Sequence, residues 1–180
     1  MTFRLAAVIF LGMLLTARVP GQVLDEYQVK AAFLYNFAKF VEWPPEAFKT
    51  PKDPILVCVL GHNPFGNALE EAIHGKSIAG RTFAYRHVSD AESASNCQIL
   101  FVSSTESKHF RSLLDNLKPL GVLTVGEAQG FATDGGVINF TRDDGRVHFE
   151  INVDAAEQER LHISAKLLSL AQIVKSEKSR

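Results

Sequence analysis

The feature that most constrains this chain is a pair of short apolar runs, Ile55 to Leu60 and Gln98 to Val102, in which hydrophobic residues follow one another without polar alternation. A strand facing water on one side alternates; one that does not alternate is buried on both faces, which places it inside a layered α/β sheet. Further strand patterns occupy Thr82–Val88, Val122–Val125, Val137–Phe140 and Val147–Ile151. Asp143, Asp144 and Gly145 between the last two are turn formers, so this pair is expected to form an antiparallel hairpin at one edge of the sheet. The expected fold is a three-layer α/β sandwich, with a mixed, mostly parallel central sheet flanked by helices.

Tyr27 to Pro44 supplies the largest helical signal. Val29, Phe33, Phe37, Phe40 and Val41 recur three or four apart with Leu34 beside them, while Gln28, Tyr35, Lys39 and Glu42 take the opposite face. Lys30 and Asn36 lie close to the apolar sector. Pro44 and Pro45 end the pattern at Trp43. Asn63 and Pro64 are placed to open a helix running to about Ile73. Ser103–Leu117 reads as an amphipathic helix closed by Pro119 and Gly121, and Asp154 with Glu157 reads as a capping box that opens a last helical region, broken near Leu161–Ser164 and resuming over Ala165–Val174.

At 180 residues the chain suffices for one domain with its own core, and a net charge of −1 with 22% charged residues gives no electrostatic reason to expect a nucleic-acid partner. Arg4 followed by the eleven-residue apolar run Leu5–Leu15 reads as a signal peptide over residues 1–20, with residues 21–180 as a single exported domain. Exported thiols meet an oxidising compartment, so Cys58 and Cys97 are candidates for a disulfide, the alternative being two reduced core cysteines.

Chemical motifs are sparse. Six histidines fall on different elements without paired ligand spacing, which argues against a metal site. Ser103 and Ser104 lack the flanking glycines of a nucleophile elbow. The Gly61–Gly66 loop carries neither a phosphate-loop lysine nor a dinucleotide fingerprint. An enzyme is therefore not expected, nor a cofactor. Arg160, His162 and Lys166, near the break in the last helical region, are candidate anion or ligand contacts. Phe131 within the glycine-rich stretch that holds Gly130, Gly135 and Gly136 is the candidate partner-binding loop, because loops on a rigid sheet commonly carry recognition.

Several strings go further by resemblance. Tyr27–Pro44 (YQVKAAFLYNFAKFVEWP), Gly61–Gly66 (GHNPFG), Gly75–Arg81 (GKSIAGR), Val122–Phe140 (VLTVGEAQGFATDGGVINF) and Val147–Val174 resemble, in order, the YfiR family. The resemblance implies a periplasmic α/β protein that represses a membrane diguanylate cyclase by contact with its periplasmic sensor region, lowering cyclic di-GMP and restraining biofilm formation. It implies that Cys58 and Cys97 are the cysteine pair that bridges the sheet; a second pair found in some members is absent. Related domains serve as extracytoplasmic sensors of histidine kinases, so a small-ligand sensor acting in trans on an envelope receptor is the competing expectation. A homodimer is left open.

Overall fold

In the computed structural model, which describes residues 25–117 and 119–176, both apolar runs are strands and lie side by side. The expected leader over residues 1–20 lies outside the described residues. In chain order the elements are α1 (Glu26–Phe37), β1 (Val41–Glu42), β2 (Ile55–Leu60), α2 (Ala68–Ile73), β3 (Ser77–Ile78), β4 (Arg81–Val88), α3 (Ala91–Ala94), β5 (Ile99–Val102), α4 (Phe110–Leu117), β6 (Leu123–Gly126), β7 (Ile138–Asp143), β8 (Arg146–Asn152), α5 (Val153–Gln158), β9 (His162–Ile163), α6 (Ala165–Leu168) and β10 (Gln172–Val174). Eight strands form the main sheet in the order β10-β8-β7-β6-β5-β2-β4-β3, and β1 pairs with β9 in a small second sheet. Pairing is antiparallel at β7–β8 and β3–β4 and parallel elsewhere in the main sheet.

The absence of alternation in β2 and β5 is explained by two cores. Val57, Val59, Ile99 and Phe101 face α1 and α2, packing with Leu34, Phe37, Leu69 and Ile73. Cys58, Leu60, Leu100 and Val102 face the other way, against Phe110, Leu113, Leu114 and Leu117 of α4. Successive strand residues point to opposite faces, so one hydrophobic run fills both layers. The cysteines belong to the second core: Cys58 and Cys97 are joined by a disulfide with Cα atoms 6.0 Å apart, which settles the alternative left by the residues alone.

Several expectations are corrected where tertiary pairing overrides local pattern. Helix α1 ends at Phe37, not Trp43. Bonds from Lys39 N–H to Asn36 O and from Phe40 N–H to Phe37 O turn the chain, and Val41 and Glu42 then pair with Ile163 and His162 of β9. Trp43 is instead fastened by its indole N–H, which donates to Gln98 O at 3.1 Å. Tyr35, expected on the polar face, packs edge-on against Phe83 at 5.4 Å. The Asn63 side chain accepts the Phe65 N–H at 2.9 Å, forming a turn, and α2 begins only at Ala68. Ser104–Glu106 is a separate 3₁₀ turn, so α4 starts at Phe110. Asn152, not Asp154, caps α5, its Oδ1 accepting from Ala155 N–H at 3.0 Å. The last helix stops at Leu168, and the chain returns as β10, parallel to β8. The β7–β8 hairpin is therefore one strand in from the edge.

Candidate functional site

Strand β2 leads into α2 on one face of the sheet, whereas β5 leads into α4 on the other. The carboxyl ends of these strands form the topological switch point, where open α/β sheets tend to hold ligands. Here Gly61 is hemmed in. A Cβ placed on Gly61 (φ +82°) would come within 2.7 Å of Thr105 Oγ1, and the Gly61 carbonyl lies 2.7 Å from His87 Nε2. Gly61, the first residue of the loop, is thus packed against its neighbours, whereas Gly66 is exposed.

The open site lies one strand further along, past the end of β6. Gly126 pairs with Asn139 at the last register position of β6 and β7, and β7 continues to Asp143, leaving a cavity of about 430 Å³ under the first turn of α1. Glu26, Tyr27 and Lys30 wall it from α1, Glu127 from the end of β6, and Asn139, Phe140 and Arg142 from β7. Lys30 is its centre. The ammonium is buried, with Glu26 Oε1 at 2.7 Å, Glu127 Oε2 at 2.8 Å and the Tyr27 ring centroid at 4.6 Å. Glu26 also holds Arg142 at the rim, at 2.9 Å. The Glu127 carboxylate is 7% exposed, so Lys30 and Glu127 form a buried pair 97 residues apart in sequence. Such a pair fixes geometry more than it stabilises, but removing one partner strands the other charge.

Asn139 closes the floor. Its Nδ2 donates to Glu150 Oε2 at 3.4 Å, while its Oδ1 is buried without a hydrogen-bond partner. A buried acceptor left empty costs about 1–3 kcal/mol.

Burial opposes the Lys30 charge, but the bonds its ammonium donates to Glu127 and Glu26 outweigh it and hold the pKa above its ordinary value. Burial, then the negative charge of Glu127, raises that of the Tyr27 phenol. In both cases the folded state keeps its proton to higher pH than the unfolded chain does. Their contribution to stability is therefore complete below the unfolded values and is lost as pH rises through the folded ones. Urea midpoints are expected to hold steady up to about pH 9.5 and then fall through the alkaline range, with a shallower fall in Lys30→Met. A midpoint rising above pH 10 would contradict this account of the cluster.

The candidate residues are distributed otherwise than expected. Phe131 is fully buried, its ring lying between Gly126 and Gly136 and packed 5.2 Å from that of Phe110. It is a core residue, which corrects its placement on a partner-facing surface. Gly130 and Gly135 are half-buried, and Gly136 is buried beneath the ring. Arg160 is exposed, with Glu46 3.4 Å away; His162 sits exposed in β9; the Lys166 ammonium lies 5.5 Å from the Phe40 ring centroid. Each is engaged by a different neighbour. A larger cavity, about 590 Å³, opens at the opposite end of the strands, beside Gln98. Among the described residues no group of histidines, cysteines and carboxylates is arranged to hold a metal, and no helix is long and apolar enough to cross a membrane. Sequence reasoning noticed Lys30 near the apolar sector but not its partners. The available signal was a lysine on a buried helix face with Glu26 one turn before it.

Comparison with known proteins agrees with this architecture. Two solved structures share the fold. One is the ABC domain in complex with L-Trp from Streptococcus pneumonia (TM-score 0.52, 14% identity, covering 80% of this chain and 60% of that one). The other is a conserved domain protein from Vibrio cholerae O1 biovar El Tor (TM-score 0.57, 12% identity, 84% and 61%). The chain thus spans about 60% of the length of either. At these identities the likeness is one of fold alone. No curated protein matches the chain in sequence. The sequence model of one family covers residues 27–172, from the second residue of α1 to the first of β10, and by that match this protein belongs to the YfiR/HmsC-like family, a family of periplasmic regulatory proteins.

Proposed function

We propose that the protein is a periplasmic repressor that binds the periplasmic sensor region of a membrane diguanylate cyclase and holds the enzyme in its less active state. The observation that carries the reading is the family match over residues 27–172. Repression of this kind needs no chemistry from the repressor. Its strength equals the difference in its affinity for the two states of the cyclase, and a preference of about 5.5 kcal/mol takes a two-state equilibrium from almost wholly active to almost wholly inactive.

Leu170 and Ile173 offer a surface for this contact. Leu170, two residues before β10, and Ile173, within it, are 67% and 49% exposed, and among the described residues β10 is the last strand of the sheet. An uncovered strand edge with apolar side chains is a template for pairing with another chain. Deleting the gene is expected to raise cellular cyclic di-GMP, and the purified protein should co-purify with a membrane diguanylate cyclase from its own envelope. Leu170→Asp combined with Ile173→Asp should abolish that association while leaving the circular dichroism spectrum and unfolding midpoint unchanged. Unaltered cyclic di-GMP in the deletion strain would reject the repressor reading; full association by the folded double variant would reject the β10 surface.

A further inference from the structure

A third cavity, of about 430 Å³, opens between the segment that follows β1 and the start of β4. Trp43, the only tryptophan of the chain, and Phe48 supply its rings, 6.4 Å apart and set edge to face, and Pro45 and Pro51 extend the apolar surface. These walls are fastened from behind. Gln98 O accepts the Trp43 indole N–H, and Gln98 Nε2 donates to Ala47 O at 2.7 Å. Arg81 enters from β4 with its guanidinium carbon 3.7 Å from the Phe48 ring centroid, and its Nη1 donates to Thr50 O and Asp53 O at 3.0 and 2.8 Å. Its other N–H groups, and the exposed Lys49 ammonium, have no protein partner among the described residues.

The lining therefore holds two cations and neither a carboxylate nor a side-chain amide, whereas both cavities described above carry carboxylates. The Asp53 carboxylate, outside the lining, is taken up by the Lys49 and Thr50 amides and the Thr50 hydroxyl. That composition excludes most occupants. A sugar would stack on the rings but find no side-chain acceptor for its hydroxyls, and an amine would meet like charge. A ring bearing a negative charge matches both halves: aromatic faces for the ring, and a guanidinium whose planar N–H groups suit a carboxylate. Because the walls are already held in place, little ordering cost opposes binding.

We infer that this cavity is a binding site for a small aromatic carboxylate, its ring against Trp43 and Phe48 and its carboxylate on Arg81 and Lys49. Arg81 belongs to β4, toward the far end of the sheet from β10, so this site and the repressor surface stand or fall independently.

Titration of the purified chain with phenylacetate and with 3-phenylpropionate, followed by Trp43 fluorescence and by calorimetry, is the test. Saturable binding of both in the millimolar range is expected. Acetate lacks the ring and phenethylamine carries the opposite charge, so neither should bind, and L-phenylalanine should bind more weakly than 3-phenylpropionate because its ammonium faces two cations. Lys49→Glu, at an exposed side chain without a partner, should leave the unfolding midpoint unchanged and weaken binding about tenfold or more, the loss of one contact between charged groups. Arg81→Gln should weaken it at least as much. In the unaltered chain the single indole N–H resonance, that of Trp43, should shift as phenylacetate is added, a readout that does not depend on any variant folding. Absence of saturable binding, acetate or phenethylamine binding as tightly as phenylacetate, L-phenylalanine binding as tightly as 3-phenylpropionate, an unchanged affinity in Lys49→Glu, or binding with the indole resonance unmoved would each overturn the assignment.

Discussion

Replacing Cys58 and Cys97 together by alanine is expected to cost about 4 kcal/mol of unfolding free energy and to lower the melting temperature by roughly 10 °C. The bond joins cysteines 39 positions apart and closes a loop that contains α2, β3, β4 and α3. Without it the unfolded chain regains the conformations that closure forbids, while the folded chain changes little, because both cysteines are buried against Leu100 and α4 and an alanine leaves only a small void. Unfolding of the wild type in reductant should shift by a comparable amount, and the double variant should be insensitive to reductant. A double variant within about 1 kcal/mol of the wild type would show that the unfolded chain is already restricted in this region.

Those cysteines show what could be read from the chain and what could not. Strands β2 and β5, with Cys58 in one and Cys97 leading into the other, are contiguous apolar runs, and burial on two faces demands that pattern wherever the strand sits. Their being neighbours was available as a condition for the disulfide. Elements whose identity depends on a distant partner were not legible. Val41 and Glu42 continue a helical periodicity until β9, over 120 residues away, takes them as a strand. Gln172–Val174 looks like the end of an apolar helix, and it is a strand because β8 offers an unpaired edge. The candidate site failed to appear for the same reason. Lys30, Glu127 and Asn139 each have a bland local reading, and only the fold brings a buried lysine to the end of β6. Phe131 misled for a different reason. Glycines around an aromatic suggest a projecting loop, whereas Gly136, with Gly126 before the loop, makes room for the ring.

Phe131→Ala is accordingly expected to destabilise the domain by about 3–5 kcal/mol through the cavity it leaves, with any loss of partner binding following the fraction unfolded. The ring is clamped by its own loop: Phe131 N–H donates to Ala128 O at 3.1 Å, and Gly136 N–H donates to Phe131 O at 2.9 Å. Gly126 and Gly136 lie so close that a Cβ on either would enter the ring. Gly136→Ala alone should therefore cost about 1–3 kcal/mol by overpacking. Gly136 does not share the positive φ of Gly130 and Gly135, so the clash rather than backbone strain sets that cost. Once Phe131 is alanine the clash vanishes, and the added methyl occupies part of the vacated space. Adding Gly136→Ala to the Phe131→Ala background should then be neutral or stabilising, a change of sign that contacting residues can show and distant ones do not. Urea unfolding of the two single variants, the double variant and the wild type measures the coupling directly. Additive costs would mean that the Phe131 ring does not rest on Gly136.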